Sequence, residues 1–292
     1  MTESTSAVDE FEAARPRLLG IAYRMLGMLA DAEDVVQDVW LRWCRADRTS
    51  IESVDAWLTT VTTRVAVDRL RKATRRREEY VGVWLPEPLC VDADPALAVE
   101  LADSLTLGFL TVLDQLEPVE RAVFLLAEVF RAPYREIAEA VGKSEAACRQ
   151  IASRARTKVR RAPARRPLDH ERRLIDEMLA ALASGDVAAL LAHLAPDVVC
   201  TTDGGPSVSA ARHPIVGQDH VARFALGLAQ RFGSEMEFQH CVINGGPGLI
   251  GYERGVVRLA MVFEFAGDSV AQMWIVRNPD KLLRIPSGVQ LR

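Results

Sequence analysis

Two clusters of side chains have the types and spacing to bind nucleic acid. Between Arg64 and Arg77 lie seven basic residues (Arg64, Arg69, Arg71, Lys72, Arg75, Arg76 and Arg77) and one acid, Asp68. Between Arg149 and Arg166 there are eight basic residues and no acid. Cations at that density neutralise phosphates and release their counterions. Arg149, Gln150, Ser153 and Arg154 add a more specific possibility, because three- and four-residue steps put them on one helix face. From such a face an arginine can bridge a guanine bidentately. Trp57 offers an aromatic plane to an unstacked base. A third cluster has the opposite sign: Asp31, Glu33, Asp34 and Asp38 set four acids within eight residues, which suits a basic surface on a partner protein. Each cluster also has a plainer reading. An arginine run can be a solvated face, Trp57 a core residue, and the acidic stretch the outside of an amphipathic helix.

Helices must carry these groups. Apolar residues recur at three- and four-residue steps through Leu18, Ile21, Ala22 and Met25, then Val35, Val36, Val39 and Trp40, then Trp57, Leu58, Val61 and Val65. That periodicity predicts helix through about residues 9–78. Asp31 is placed to cap the second helix, with Asp34 in its first turn, and Ser53-Val54-Asp55 opens the third. Three prolines in VGVWLPEPLCVDADPA, residues 81–96, then break the pattern. Helical periodicity resumes at about 97 and runs to about 161. Inside it, PYREIAEAVG ends at Gly142 and a basic helix starts at Ser144, with Ile137, Val141, Cys148 and Ile151 expected to pack the two together. A short helix, a tight glycine turn and a second basic helix is the pattern of a helix-turn-helix, whose second helix enters the major groove. Taken alone, it also describes an ordinary helical hairpin.

A basic, proline-containing stretch, RRAPARRPLDH, marks a boundary near 162–170. Beyond it, helices at 171–195 are followed by antiparallel-looking strands (DVVCTTD, HCVINGG, GLIGYER, VVRLAMVFEFAGD and SVAQMWIVRNP), with one more helix near 218–231. Helices first and strands last is an α+β arrangement. The chain has 292 residues and a formal charge of −4, which exceeds what a single core usually holds. Its N-terminus lacks the basic and apolar run of a signal peptide. Cys44, Cys90, Cys148, Cys200 and Cys241 are odd in number and far apart, which predicts reduced thiols in a cytosolic protein. His170, His193, His213, His220 and His240 show no metal-ligand spacing, and neither a metal nor another cofactor is expected.

In order and spacing, DAEDVVQDVWLRW, AWLTTVTTRVAVDRLRKATRRRE and YREIAEAVGKSEAACRQIASRAR resemble bacterial sigma factors of the extracytoplasmic-function (ECF) group. WLPEP at Trp84–Pro88, DGG at Asp203–Gly205 and NPDKL at Asn278–Leu282 narrow the resemblance to the SigJ type, which carries a SnoaL-like C-terminal extension. The resemblance implies a multidomain fold: an all-α region 2 at 9–80, a linker at 81–100, a helix-turn-helix region 4 at 101–165, and a SnoaL/NTF2-like α+β cone at 168–287. It further implies a cytoplasmic factor that directs core RNA polymerase to specific promoters. On this reading Trp57, Arg64, Asp68, Arg71, Lys72 and Arg75 meet the melted −10 strand. Ser144, Glu145, Arg149, Gln150, Ser153 and Arg154 read the −35 duplex, and Asp31, Glu33, Asp34 and Asp38 face the polymerase.

The fused domain is expected to regulate activity. WLPEP (Trp84, Leu85, Pro86, Glu87, Pro88) would act as a stiff strap for another domain to dock on. Its counterparts would be Asp203, Gly204 and Gly205 with Asn278, Pro279, Asp280, Lys281 and Leu282, a turn displaying Asp280 and Lys281. A separate anti-sigma factor is possible but not required, and the cone pocket could take an unknown small ligand. His193, Asp197, Asp203, His213 and His240 are candidate pocket groups, though no catalysis is expected. The chain departs from the family where Asp-Gly-Gly continues as Pro206-Ser207 instead of Gly-Lys. Two alternatives remain: a one-component DNA-binding regulator with a ligand-sensing pocket, and a SnoaL-like enzyme with a helical appendage.

Overall fold

In the computed structural model, which describes residues 2–90, 106–159 and 167–286, the chain forms two compact units. The first holds the described residues of 2–79 and 109–159, and the second those of 80–90, 106–108 and 167–286. The expected helix over 97–105 and the basic residues at 160–166 lie outside the described residues.

The first unit is helical. Helix α1 (Thr2–Leu26) buries Phe11, Leu18, Ile21, Ala22 and Met25 on one face. Helix α2 (Leu29–Trp43) begins before Asp31, with Met28 at the cap and no side chain bonding there. Asp31 therefore sits in the first turn, where its charge suits the helix dipole, contrary to its expected capping role. Helix α3 (Val54–Arg77) is capped as its sequence predicts: Ser53 Oγ accepts from the Ala56 N–H at 3.3 Å. It buries four threonines, Thr59, Thr60, Thr62 and Thr63. Thr59 and Thr63 turn their hydroxyls back onto the carbonyls of Asp55 and Thr59, so those buried polar groups are satisfied within the helix.

Helices α4 (Leu107–Leu113) and α5 (Pro118–Phe124), with a π turn at Leu125–Val129, lead to α6 (Tyr134–Val141) and α7 (Glu145–Lys158). Helix α6 stops at Gly142 in the left-handed conformation (φ 67°), where a residue without a Cβ is not strained. Ser144 Oγ then caps α7 by accepting from Ala147 N–H at 3.2 Å. Ile137, Cys148 and Ile151 are buried between these helices, and Val141 is half-buried.

Two arginines close the first unit. Arg121, 2% exposed, donates to the carbonyls of Leu113 (2.9 Å) and Met25 (2.7 Å) and to the Asp114 carboxylate. Arg77 shares that carboxylate at 3.0 Å and donates to the Leu26 carbonyl at 2.6 Å. Burial pulls the Arg77 pKa below its ordinary value, with Asp114 opposing the shift.

The second unit packs α8 (Leu168–Ser184), α9 (Val187–Ala192) and α10 (Gln218–Phe232) on a six-stranded sheet. Its strands are β1 (Leu194–Asp203), β2 (Ile215–Val216), β3 (Met236–Ile243), β4 (Gly246–Glu253), β5 (Val256–Ala266) and β6 (Ser269–Val276), in the order β2-β1-β6-β5-β4-β3. One expectation fails here: β1 pairs parallel with β6, so the sheet is mixed. Strand texture gives no direction for two strands so far apart in sequence.

Alternate residues serve two cores. Leu249, Phe263, Met273 and Ile275 face the helices, while Ile250, Val262, Trp274 and Val276 line the opposite face with Tyr252 and Ile243. That second face is covered by the proline-rich segment, whose Leu85 is fully buried in it. The cysteines also depart from expectation, since Cys90 and Cys241 form a disulfide between residues 151 apart in sequence. A spacing that long leaves no local signature.

Candidate functional site

The arginine-bearing face of α7 is built by simple helical alternation. Cys148, Ile151, Ala152 and Ala155 are buried, which leaves Arg149, Gln150, Ser153 and Arg154 exposed together on the other side. Glu145 pairs with Arg149 at 2.8 Å, and the Arg149 guanidinium lies 5.0 Å from the centre of the Tyr134 ring. Ser144 also faces solvent, with its hydroxyl engaged as the cap.

On α3, Arg71, Lys72 and Arg75 are exposed, and Asp68 pairs with Arg71 at 3.0 Å. Trp57 is half-buried against Trp43, ring centres 5.4 Å apart, so it combines the core and surface readings. Arg69 and Arg77 leave the basic face altogether. Arg69 bridges Asp34 (3.0 Å) and Asp38 (2.8 Å) on α2, joining the acidic helix to the basic one. All three partners keep part of their surface in solvent, where ion pairs contribute about 0–1 kcal/mol. Arg64 is a contact that sequence reasoning missed. It donates to the carbonyls of Glu139 (2.7 Å) and Ala140 (3.3 Å) at the end of α6.

The three short motifs of the second unit converge on one buried cluster. Asp203, 1% exposed, accepts from Tyr80 Oη (2.6 Å), Leu85 N–H (2.9 Å), Gly205 N–H (2.9 Å) and Lys281 Nζ (2.6 Å). Lys281 Nζ also donates to the Leu85 carbonyl at 2.5 Å and lies 4.2 Å from the Trp84 ring centre. The lysine is thus 2% exposed beneath the strap, contrary to its expected display on a turn, whereas Asp280 is exposed. Its charge can be buried because a carboxylate, a carbonyl and an aromatic face all receive it.

Asn278 accepts from the Asp280 N–H and donates to Tyr80 Oη at 2.8 Å. The two glycines of DGG are dictated by closeness. A Cβ on Gly205 would stand 2.6 Å from Asn278, and one on Gly204 would stand 2.0 Å from the Val208 carbonyl oxygen. Pro206 and Ser207 are exposed in the following turn, so the departure from Gly-Lys leaves the buried cluster intact.

Pro86, Glu87, Pro88 and Leu89 are buried as well, and Leu282 lies in the same core. Leu89 and Asn244 exchange two hydrogen bonds, at 3.0 and 2.9 Å. Tyr80 was not legible as a partner, because a tyrosine ending a basic helix carries no spacing signal. Burial and the neighbouring Asp203 carboxylate hold its phenol well above the ordinary tyrosine range.

A cavity of about 1140 Å³ opens in the cone, lined by Met178, Val221, Phe224, Leu259, Met261 and Met273 among others. None of the candidate acid/base groups lines it. His193 lies 3.9 Å from Glu177, His240 pairs with Asp176 at 2.7 Å, Asp197 and His213 are exposed, and Asp203 belongs to the buried cluster.

The helical unit matches the Sigma-70 region 2 model over residues 11–76 and the Sigma-70 region 4 model over 107–159, and the cone matches the SnoaL-like domain over 175–278. Fold and faces thus define a sigma-70-type factor with a fused cone. The relatives refine that class. ECF RNA polymerase sigma factor SigJ of Mycobacterium tuberculosis is 41% identical over 96% of this chain and 94% of its own length. Its probable ECF sigma factor SigI is 36% identical over 76% of each chain. The crystal structure of M. tuberculosis SigJ superposes with a TM-score of 0.78 at 37% identity, covering 96% of this chain and all of that one. The chain belongs to the ECF RNA polymerase sigma factors. This favours transcription initiation over the one-component regulator.

Proposed function

We propose that this sigma factor directs core RNA polymerase to its promoters in the cytoplasm and that its cone domain restrains it by seating the strap. The observation that carries the reading is the contact of Arg64 with the carbonyls of Glu139 and Ala140. In this reading Trp57, Arg64, Asp68, Arg71, Lys72 and Arg75 meet the −10 strand. The exposed face of α7, from Ser144 to Arg154, meets the −35 duplex. Those two promoter elements are about 25 base pairs apart, or about 85 Å at about 3.4 Å per base pair. A helix α3 bonded to the end of α6 cannot serve both sites at once. Promoter binding therefore requires region 2 and region 4 to separate.

The connection between them, residues 80–106, reaches about 90 Å when fully extended at about 3.4 Å per residue. Holding residues 80–90 in place leaves residues 91–106 a reach of about 54 Å at the same rise. Residues 80–90 are held on the cone by Asp203, Lys281 and Asn244, so unseating the strap would be the step that permits opening. Asp31, Glu33, Asp34 and Asp38 then offer the polymerase an acidic surface, two of them after surrendering Arg69.

Run-off transcription with core polymerase and the full chain tests this reading. A promoter-specific transcript is expected, and it should rise when Asp203→Ala weakens the strap's seat. Absence of any promoter-specific product would remove the sigma assignment. An unchanged yield in the variant would remove the restraint.

A further inference from the structure

We propose that Cys90 and Cys241 form a reversible thiol–disulfide latch that locks the strap onto the cone. The inference rests on the reading above, that the strap must leave its seat before polymerase is engaged. Cys90 is the last described residue of the strap, and Cys241 lies in β3. Backbone pairing brings them together. Cys90 bridges to Ile243 as an isolated antiparallel pair, and Leu89 exchanges hydrogen bonds with Asn244. A seated strap therefore aligns the two sulfurs before any bond forms between them. Other anchors of the strap, among them those at Tyr80, Leu85 and Leu89, are non-covalent and reversible. The bridge, being covalent, is not broken by thermal opening.

A disulfide in a protein that works where polymerase works is set in a reducing compartment, where such bonds are characteristically transient or sensing. Access agrees with that role. Cys90 is half-exposed and Cys241 is 2% exposed, which suits an outer attacking sulfur and an inner resolving one. Two other cysteines are poorly placed to compete. Cys148 and Cys200 are buried, and burial raises both thiol pKa values, that of Cys200 to about 12.

The oxidant assigned is a low-molecular-weight disulfide. The Cys90 thiolate attacks one of its sulfurs, forming a mixed disulfide and expelling one thiolate. Cys241, after losing its proton, attacks the Cys90 sulfur. The protein S–S bond forms, the mixed bond breaks, and the second small thiolate leaves and is protonated. Two electrons pass from the cysteine pair to the small disulfide. Excess small thiol reverses both steps.

The test uses the full chain equilibrated in oxidised or reduced glutathione, with the buffer removed before core polymerase is added. Thiol counting should give five free thiols in the reduced protein and three in the oxidised one, with the cross-linked peptide mapping to Cys90 and Cys241. Oxidised protein should give at least tenfold less run-off transcript than reduced protein. Cys90→Ser should abolish that difference, and Cys44→Ser should keep it. Cys90→Ala supplies the same comparison if the serine variant folds poorly.

A bridge that survives a large excess of reduced glutathione in the folded protein would overturn the proposal, as would failure to form it in oxidised buffer. Equal transcription from both redox states, with Asp203→Ala still raising the yield, would overturn the latch alone. Equal transcription with Asp203→Ala also silent would locate the failure in the restraint itself, and the latch would fall with it.

Discussion

Asp203 and Lys281 are both nearly absent from solvent, and each is tolerable only because of the other and the strap. Replacing Asp203 with Ala leaves the lysine charge buried and uncompensated, and breaking such pairs typically costs about 3–5 kcal/mol. Denaturant unfolding of the second unit should report a loss of that size. Adding Lys281→Met to Asp203→Ala should recover a large part of it, because the uncompensated charge is gone. Tyr80 gives a pH signature. Its folded-state pKa is raised by burial and the Asp203 carboxylate, so the neutral phenol stabilises the fold. That contribution is complete below the unfolded pKa near 10.0 and is lost as pH rises above it. Unfolding measured from neutral to strongly alkaline pH should show a steeper alkaline loss in the native chain than in Tyr80→Phe.

At the scale of elements, the roles proposed for α7 and α3 can be tested side by side. Arg149→Ala should weaken binding to the correct −35 sequence by about 1–3 kcal/mol while relaxing specificity at one base pair. Lys72→Ala, on α3, should weaken binding across sequences and lower the salt slope by about one. Fluorescence anisotropy of holoenzyme on promoter DNA at several salt concentrations distinguishes the two effects. Both helices were readable because a 3.6-residue period, a serine cap and a terminal glycine are local signals. The capping of α2 was misread, since Asp31 falls in a first turn that begins at Leu29. The strap was readable as a stiff segment from its prolines. Its seat was not, because Leu85 packs on strands more than 150 residues later.

For the whole molecule, the net charge of −4 conceals two basic faces and an acidic one. Part of that opposition is satisfied internally, through Arg69 with Asp34 and Asp38 and through Arg77 and Arg121 with Asp114. The arginine cluster around Asp114 joins α1, α3, α4 and α5, so it resists separation of region 2 from region 4. Asp114→Asn should weaken that closure and make the free protein bind promoter DNA without core polymerase more readily than the native chain. Equal affinities would mean that the closure does not limit access to DNA.

The sequence by itself determined the helices, the helix-turn-helix turn, the order of the sigma regions and the α+β class of the cone. The helices, the turn and the α+β class follow from periodicity, caps and prolines, which act over a few residues, while the order of the sigma regions follows from the joint resemblance of three motifs. Tertiary structure alone decided that β1 runs parallel to β6, that Arg64 is spent on α6 carbonyls, that Lys281 is buried beneath Trp84, and that Cys90 meets Cys241. Each depends on segments tens to hundreds of residues apart meeting in a shared core, and no short window of sequence encodes that meeting.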